Sequence, residues 1–377
     1  MKLPEDVLEL RDYVRKFVDK EIIPYVAEYD RTGEEPTVLY NKCIQAGLNA
    51  GYMPEKYGGL ELGKLAFAVL QEELARGDIG ISTTMGATCL ASLPVMLGGT
   101  EEQKDIWWNL VVEKHYAAFC LTEPDAGSDS ANMRTTAVRD GDDYIINGTK
   151  CFISNGGLAG VYSVLATVDR SLGHKGLTAF IVERDRAGIS IGKEEDKMGM
   201  RLSNTTDVIF DNVRIPASNR IGPEGGGFKV IMQTLDYSRP GVGAQGVGIA
   251  QRALDEAVKY AKERIQFGKP IGTFQGIQFM LADMAIEVET ARQMAYHVAD
   301  LIDKDEKNFT YEACIAKTRG GDAAMKVTVD AVQVLGGYGY MREYPVEKLM
   351  RDAKIIQIYE GTNQIQRMII AGQLLGK

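Results

Sequence analysis

Apolar and polar positions recur along this chain with three different rhythms. Over residues 1–115 the rhythm is helical. In VLELRDYVRKFVDKEIIPYVAEYD, Val7, Leu10, Val14, Phe17 and Val18 fall near a period of 3.6, and Pro24 ends or kinks the helix they predict. LAFAVLQEELAR predicts a second helix, and ISTTMGATCLASLPVML, almost wholly apolar or small, a third.

From 116 to 222 the segments shorten. TTAVRDGDDYIINGTKCFIS reads as two strands about a DGDD turn. VYSVLATVD, LTAFIVE, GISIG and DVIFDNVRI are β-branched runs punctuated by Gly, Asp and Asn. After the glycine-rich GPEGGGF the helical period returns in RALDEAVKYAKERIQFG, in IQFMLADMAIEVETARQMAYHVADLID, in CIAKTRGGDAAMKVTVDAVQVLGG, and in a fourth helix around KIIQIYEGTNQIQ. The expected architecture is α+β and multidomain: an N-terminal helical domain (1–115), a central β-barrel or sandwich (116–222) and a C-terminal helical bundle (223–377).

Composition narrows the function classes. The chain has 377 residues, a net charge of −9 and a pI near 5.1, so a broad nucleic-acid surface is not expected. The five cysteines are scattered, with no CxxC pair, and only three histidines occur. That argues against a disulfide framework or metal centre and suits a reducing, cytoplasmic setting. No apolar run is expected to reach the length of a membrane span. GVGAQG (241–246) matches a dinucleotide-binding pattern but lacks a preceding strand. Its small residues read instead as a close helix–helix contact, with Pro240 in a helix's first turn.

Six segments carry more specific chemistry: CLTEPDAGSD (120–129), INGTKCFISN (146–155), TLDYSRP (234–240), YAKERIQFGKPIGTFQ (260–275), DAVQVLGGYGY (330–340) and YPVEKLMRDAKIIQIYEGTNQIQ (344–366). In this order, over essentially the whole chain, they resemble the acyl-CoA dehydrogenase family, flavoproteins that oxidise acyl-CoA thioesters. The resemblance implies FAD between the β domain and the bundle, completed by a neighbouring subunit of a homotetramer. It also implies electron-transfer flavoprotein as the electron acceptor.

By motif, Phe119, Leu121, Thr122, Gly127 and Ser128 are expected along the flavin, with Ser128 also on the thioester arm. Phe152, Ile153 and Ser154 are expected over its other side, although on periodicity alone Phe152 and Ile153 would be β-domain core. Arg264, whose planar fork of donors suits a diphosphate, is expected with Gln266, Phe267, Phe274 and Gln275 around the dinucleotide. Gln333, Gly336 and Gly337, the latter group in an adjacent subunit, and Thr362 and Gln364 complete the FAD set. Asp236, Tyr237, Ser238 and Arg239 are expected along the substrate channel, with Tyr359 and Gly361 at the reacting end.

Glu360 matches the family's catalytic base, a carboxylate among apolar neighbours that raise its proton affinity. Some relatives carry the base at the position of Ser238, which cannot serve. The resemblance leaves open the reverse reaction, an enoyl-CoA reductase, and a flavin oxidase of the same superfamily. The helix at 79–100, expected to face the acyl tail, has no Asp, Glu, Lys or Arg and carries small residues at Gly86, Ala87 and Ala91. An uncharged short, branched or alicyclic acyl group is therefore expected.

Overall fold

The computed structural model describes residues 1–376. It opens with α1 (Glu5–Glu21), α2 (Val26–Thr32), α3 (Thr37–Gln45), α4 (Lys64–Gly77), α5 (Ile79–Gly98) and α6 (Glu101–Lys114). Val7, Val14 and Val18 are buried along α1, as their spacing requires. The helix stops at Glu21, three residues before Pro24. A capping box, in which Thr100 and Gln103 each bond the other's backbone N–H, starts α6.

One expectation fails on α5. The helix is 20 residues long with a mean hydropathy of 1.4 over its most apolar window, long and apolar enough to cross a membrane. Here 83% of that window is buried inside the protein, where neighbouring helices and strands take the place of lipid.

The middle of the chain forms β1 (Ala117–Cys120), β2 (Thr136–Asp140), β3 (Asp143–Ser154), β4 (Val161–Thr167), β5 (Leu177–Glu183), β6 (Ile189–Glu194), β7 (Thr205–Pro216) and β8 (Arg220–Ile221). They make one sheet in the order β6-β7-β3-β2-β4-β5-β8, with β1 parallel to β4. The β2–β3 turn is tighter than DGDD suggested. Asp140 pairs with Asp143 and leaves Gly141-Asp142 as the connection, Gly141 at φ +63°. β1 is only four residues long, too short for an alternating pattern to show.

The C-terminal part holds α7 (Gly227–Glu263), a small hairpin of β9 (Ile265–Gln266) and β10 (Lys269–Pro270), then α8 (Gln275–Asp303), α9 (Thr310–Leu335), α10 (Val346–Ala353) and α11 (Asn363–Leu374). Three expectations are corrected. Pro240 lies in the middle of the 37-residue α7, not in its first turn. The helix read through IQFG ends at Glu263, because Phe267 and Gly268 take positive φ and fold the next residues into the hairpin. The fourth bundle helix is broken into α10 and α11, with the IYEGT stretch between them.

Close helix crossings bring these parts together, and glycine makes them possible. A Cβ on Gly246 of α7 would lie 2.4 Å from the Gly320 carbonyl of α9, and one on Gly248 would lie 2.1 Å from the Glu72 carbonyl of α4. GVGAQG is thus a helix–helix contact and not a nucleotide loop. A buried ion cluster joins all three parts: Lys348 of α10 lies 2.5 Å from both Asp78, at the start of α5, and Asp352. Asp352 also accepts the Met200 N–H at 2.7 Å.

Candidate active site

The break between α10 and α11 builds the centre of the site. Lys354–Gln357 form a single 3-10 turn. The chain then turns through Glu360 at φ +55° and Gly361 at φ +89°. A non-glycine residue in the left-handed region is uncommon and must be held there by its surroundings. Gly361 needs no such support, and a Cβ on it would lie 2.7 Å from the Gln366 Nε2. That amide donates to the carbonyls of both Glu360 and Gly361, each at 3.1 Å. Thr362 accepts the Ile365 N–H at 3.2 Å and so caps α11. Among the described residues the Glu360 N–H has no acceptor.

The Glu360 carboxylate meets α7. The Ser238 hydroxyl donates to its Oε2. Burial raises the Glu360 pKa, while the Ser238 hydrogen bond and the charges of Arg239 and Lys317 pull it back. Arg239 is buried, bonded to Asp236 one turn earlier, and its Nη1 lies 3.4 Å from the Cys314 sulfur. Asp236 also accepts from the Thr310 hydroxyl at 2.7 Å. Ser238 and Arg239 therefore stand beside Glu360, with Asp236 behind Arg239. Tyr237 packs edge-on to Phe309, ring centroids 5.2 Å apart, and the Lys64 ammonium lies 5.4 Å from its ring.

The two residues before Glu360, Tyr359 and Ile358, part company. The Tyr359 hydroxyl donates to Gln245 Oε1 at 2.5 Å, and Gln245 Nε2 donates to Gln71 Oε1 at 2.8 Å. That chain ties the bend to α7 and α4. Ile358 is 49% exposed and walls nothing.

The residues expected around a dinucleotide fall into two groups. Thr122 accepts the Cys151 N–H at 2.9 Å, which sets the end of β1, with Phe119 and Leu121, beside the end of β3, with Phe152 and Ser154. Phe152 is 66% exposed at φ +58°, whereas the Ile153 side chain is buried in the β-domain core. Gly127 and Ser128 are exposed on the loop after β1.

The second group surrounds the β9–β10 hairpin. The Arg264 guanidinium lies 5.2 Å from the Tyr338 ring, which places it next to Gly336 and Gly337. Phe267, 94% exposed, meets Phe274 edge-on at 5.9 Å. Gln266, Gln275, Gln333 and Gln364 are exposed. No hydrogen bond among the described residues joins the two groups.

Models of the acyl-CoA dehydrogenase N-terminal, middle and C-terminal domains match residues 4–114, 118–213 and 225–375. The chain belongs to the acyl-CoA dehydrogenase family. It is 46% identical over 375 residues to a probable acyl-CoA dehydrogenase of Mycobacterium leprae, covering 99% of this chain and 96% of that one. It is similar to butyryl-CoA dehydrogenase of Megasphaera elsdenii, with a TM-score of 0.96 and 44% identity, over 100% of this chain and 99% of that one. It resembles equally a chain in a structure described as the electron-transferring flavoprotein of Acidaminococcus fermentans, with a TM-score of 0.96 and 44% identity over the whole of both chains.

Members of the acyl-CoA dehydrogenase family are FAD-dependent flavoproteins. Two features of this chain fit such a cofactor: the exposed aromatic ring of Phe152 on a strand end near Thr122 and Ser154, and the half-buried Arg264 with the exposed Gln266 and Phe267 around the hairpin. Residues the motifs did not single out also touch the site, namely Lys317, Gln71 and Gln245. Lys317 was visible in principle: with Ala313, Gly320 and Ala324 it repeats at helical spacing on the buried stripe of α9.

Proposed function

We propose that this acyl-CoA dehydrogenase family member is an FAD-dependent enzyme that converts an acyl-CoA to the trans-2-enoyl-CoA, with Glu360 as the base. One observation carries this reading: a carboxylate on a left-handed bend, hydrogen-bonded by Ser238 between two buried cations, next to an N–H with no acceptor. The α-proton of a thioester is weakly acidic, and its removal needs a base over the α-carbon and donors on the carbonyl oxygen. Burial keeps the Glu360 carboxylate more basic than in water, while Arg239 and Lys317 favour its ionised form. The free Glu360 N–H would serve as a donor to the oxygen where negative charge develops. Gly361 lets the thioester approach the backbone. FAD, when bound, supplies the acceptor for the hydride that leaves the β-carbon.

Phe119, Leu121, Thr122, Gly127, Ser128, Phe152, Ser154 and the backbone of Ile153 would hold the flavin. Arg264, Gln266, Phe267, Phe274, Gln275, Gln333, Gly336, Gly337, Thr362 and Gln364 would hold its dinucleotide end. The lack of any bond between the two groups within one chain supports the adjacent subunit's completing each site. Exposed apolar residues on the bundle, including Phe279, Ile286, Met368 and Leu374, support a homotetramer. Electron-transfer flavoprotein is the proposed acceptor, supported by the likeness to the Acidaminococcus chain. Five free, buried cysteines support the cytoplasm.

The charge-free α5 supports a short, branched or alicyclic acyl group without charge. One observation favours a second reading, a tail ending in a carboxylate: the Lys64 ammonium lies 3.4 Å from the Tyr52 ring centroid and, among the described residues, takes part in no salt bridge. Anaerobic titration of the yellow protein with straight, branched, cyclic and ω-carboxylated acyl-CoAs tests all of this. Bleaching identifies substrates, and no bleaching with any acyl-CoA refutes dehydrogenation. Enoyl-CoA added to the reduced protein tests the reverse direction, and peroxide release tests an oxidase.

A further inference from the structure

Lys317 is fully buried on α9. Among the described residues its ammonium meets no carboxylate in a salt bridge. It donates instead to the Gly361 carbonyl at 2.7 Å and to Asn363 Oδ1 at 3.0 Å. Those acceptors bracket the end of the left-handed bend and the first turn of α11. A charged donor on a backbone carbonyl is worth more than a neutral one, and a buried charge is retained only where it is well satisfied. Asn363 passes the hold onward, donating to Asp322 at 2.9 Å and to the Thr318 carbonyl at 3.3 Å, so both of its ends are used. Glycine lets the bend lie this close to α9: a Cβ on Gly321 would sit 3.2 Å from the Ile356 carbonyl.

We infer that Lys317 is a positioning residue for the reaction: its ammonium locks the Glu360–Gly361 bend and, with Arg239, provides the positive charge behind the base. This rests on Glu360 being the base. The lock has a second hold in Gln366, whose amide also meets the Gly361 carbonyl and, beside it, that of Glu360. Gln366 carries no charge, so only Lys317 couples the bend to protonation.

The groups around Lys317 set the direction of that coupling. Burial pulls its pKa down to about 8, against the attraction of Glu360 on the bend. Arg239 on α7 works in the same direction as burial, while Asp322 and Cys314 on α9 work against it. Below that pH the ammonium is charged and the bend is held. As pH rises through it, the charged donor and one of the two cations near Glu360 are lost together.

The test is the rate of anaerobic flavin bleaching by a saturating acyl-CoA, measured against pH in the holoenzyme. The wild type is expected to lose rate above about pH 8. Lys317→Arg, whose guanidinium stays charged, is expected to move that limb to higher pH. Lys317→Met is expected to keep its FAD and acyl-CoA binding but bleach slower by on the order of 100-fold, since a small misplacement of a catalytic group costs that much. A wild-type rate that is flat through pH 8 overturns the inference, whether or not the Met variant folds. So does a Lys317→Met protein that bleaches at the wild-type rate. Failure of the base assignment looks different: Glu360→Gln would then bleach as fast as the wild type.

Discussion

Gly248→Ala tests the contact on which the site's walls depend. The new methyl would lie 2.1 Å from the Glu72 carbonyl oxygen, 2.9 Å from the Arg76 nitrogen and 3.0 Å from the Ala75 Cβ. The first of these falls more than an ångström short of the 3.4 Å at which ordinary contact begins. Two of the three are backbone atoms of α4, so no side chain can swing aside; the helices must separate. Overpacking of this kind costs about 1–3 kcal/mol, and rigid backbone on both sides argues for the upper end. The separation also strains two bonds that cross from α4. Glu72 lies 3.0 Å from Arg292 of α8, and Gln71 accepts from Gln245 at 2.8 Å, the link to Tyr359.

The assay is thermal unfolding of the FAD-loaded protein. At about 2–4 °C per kcal/mol, a loss of several degrees is expected. Gly276→Ala is the control. Its Cβ would meet nothing within 4 Å, and it lies in the first turn of α8. Alanine there is expected to be neutral or to stabilise by up to about 1 kcal/mol. If Gly248→Ala melts with the wild type, α4 and α7 do not cross as described.

Glu360→Gln is expected to retain FAD and its colour while bleaching about 100- to 10,000-fold more slowly, the usual contribution of a general base. Ser238→Ala removes a hydrogen bond that stabilises the ionised carboxylate, so the Glu360 pKa rises further. The acid limb of kcat/KM should move to higher pH, and an unmoved limb would show that the hydroxyl does not touch the base. Tyr359→Phe leaves the buried Gln245 Oε1 without its donor. It is expected to lower stability by about 1–3 kcal/mol, read from the unfolding midpoint.

Much of this protein was legible before any folding was considered. Period and composition distinguished helical, β and helical stretches, because burial of one face imposes a repeat of 3.6 or 2 on the residues themselves. Motif order identified the family and pointed to Glu360, since a carboxylate beside glycine in apolar company is a local pattern. The broken fourth helix was not legible. IIQIYEGTNQIQ keeps a helical apolar rhythm, and only the pull of Lys317 and Gln366 on the bend's carbonyls turns Glu360 left-handed. Nor was the central place of Pro240 in α7, where packing of its glycine-lined face outweighs one missing N–H.

The partners of Glu360 likewise come from distant parts of the chain: Ser238 and Arg239 from α7, and Lys317 from α9. A sequence read along its length shows which residue types are present and the local rhythm they keep. Which charges face one another across a dry contact depends on helices meeting at glycines far apart in the chain. The sequence by itself therefore determined the family and singled out the carboxylate proposed to carry its chemistry. The tertiary structure alone decided how that carboxylate is held, because its proton affinity and direction are set by neighbours that are distant in the chain, Ser238 being 122 residues away.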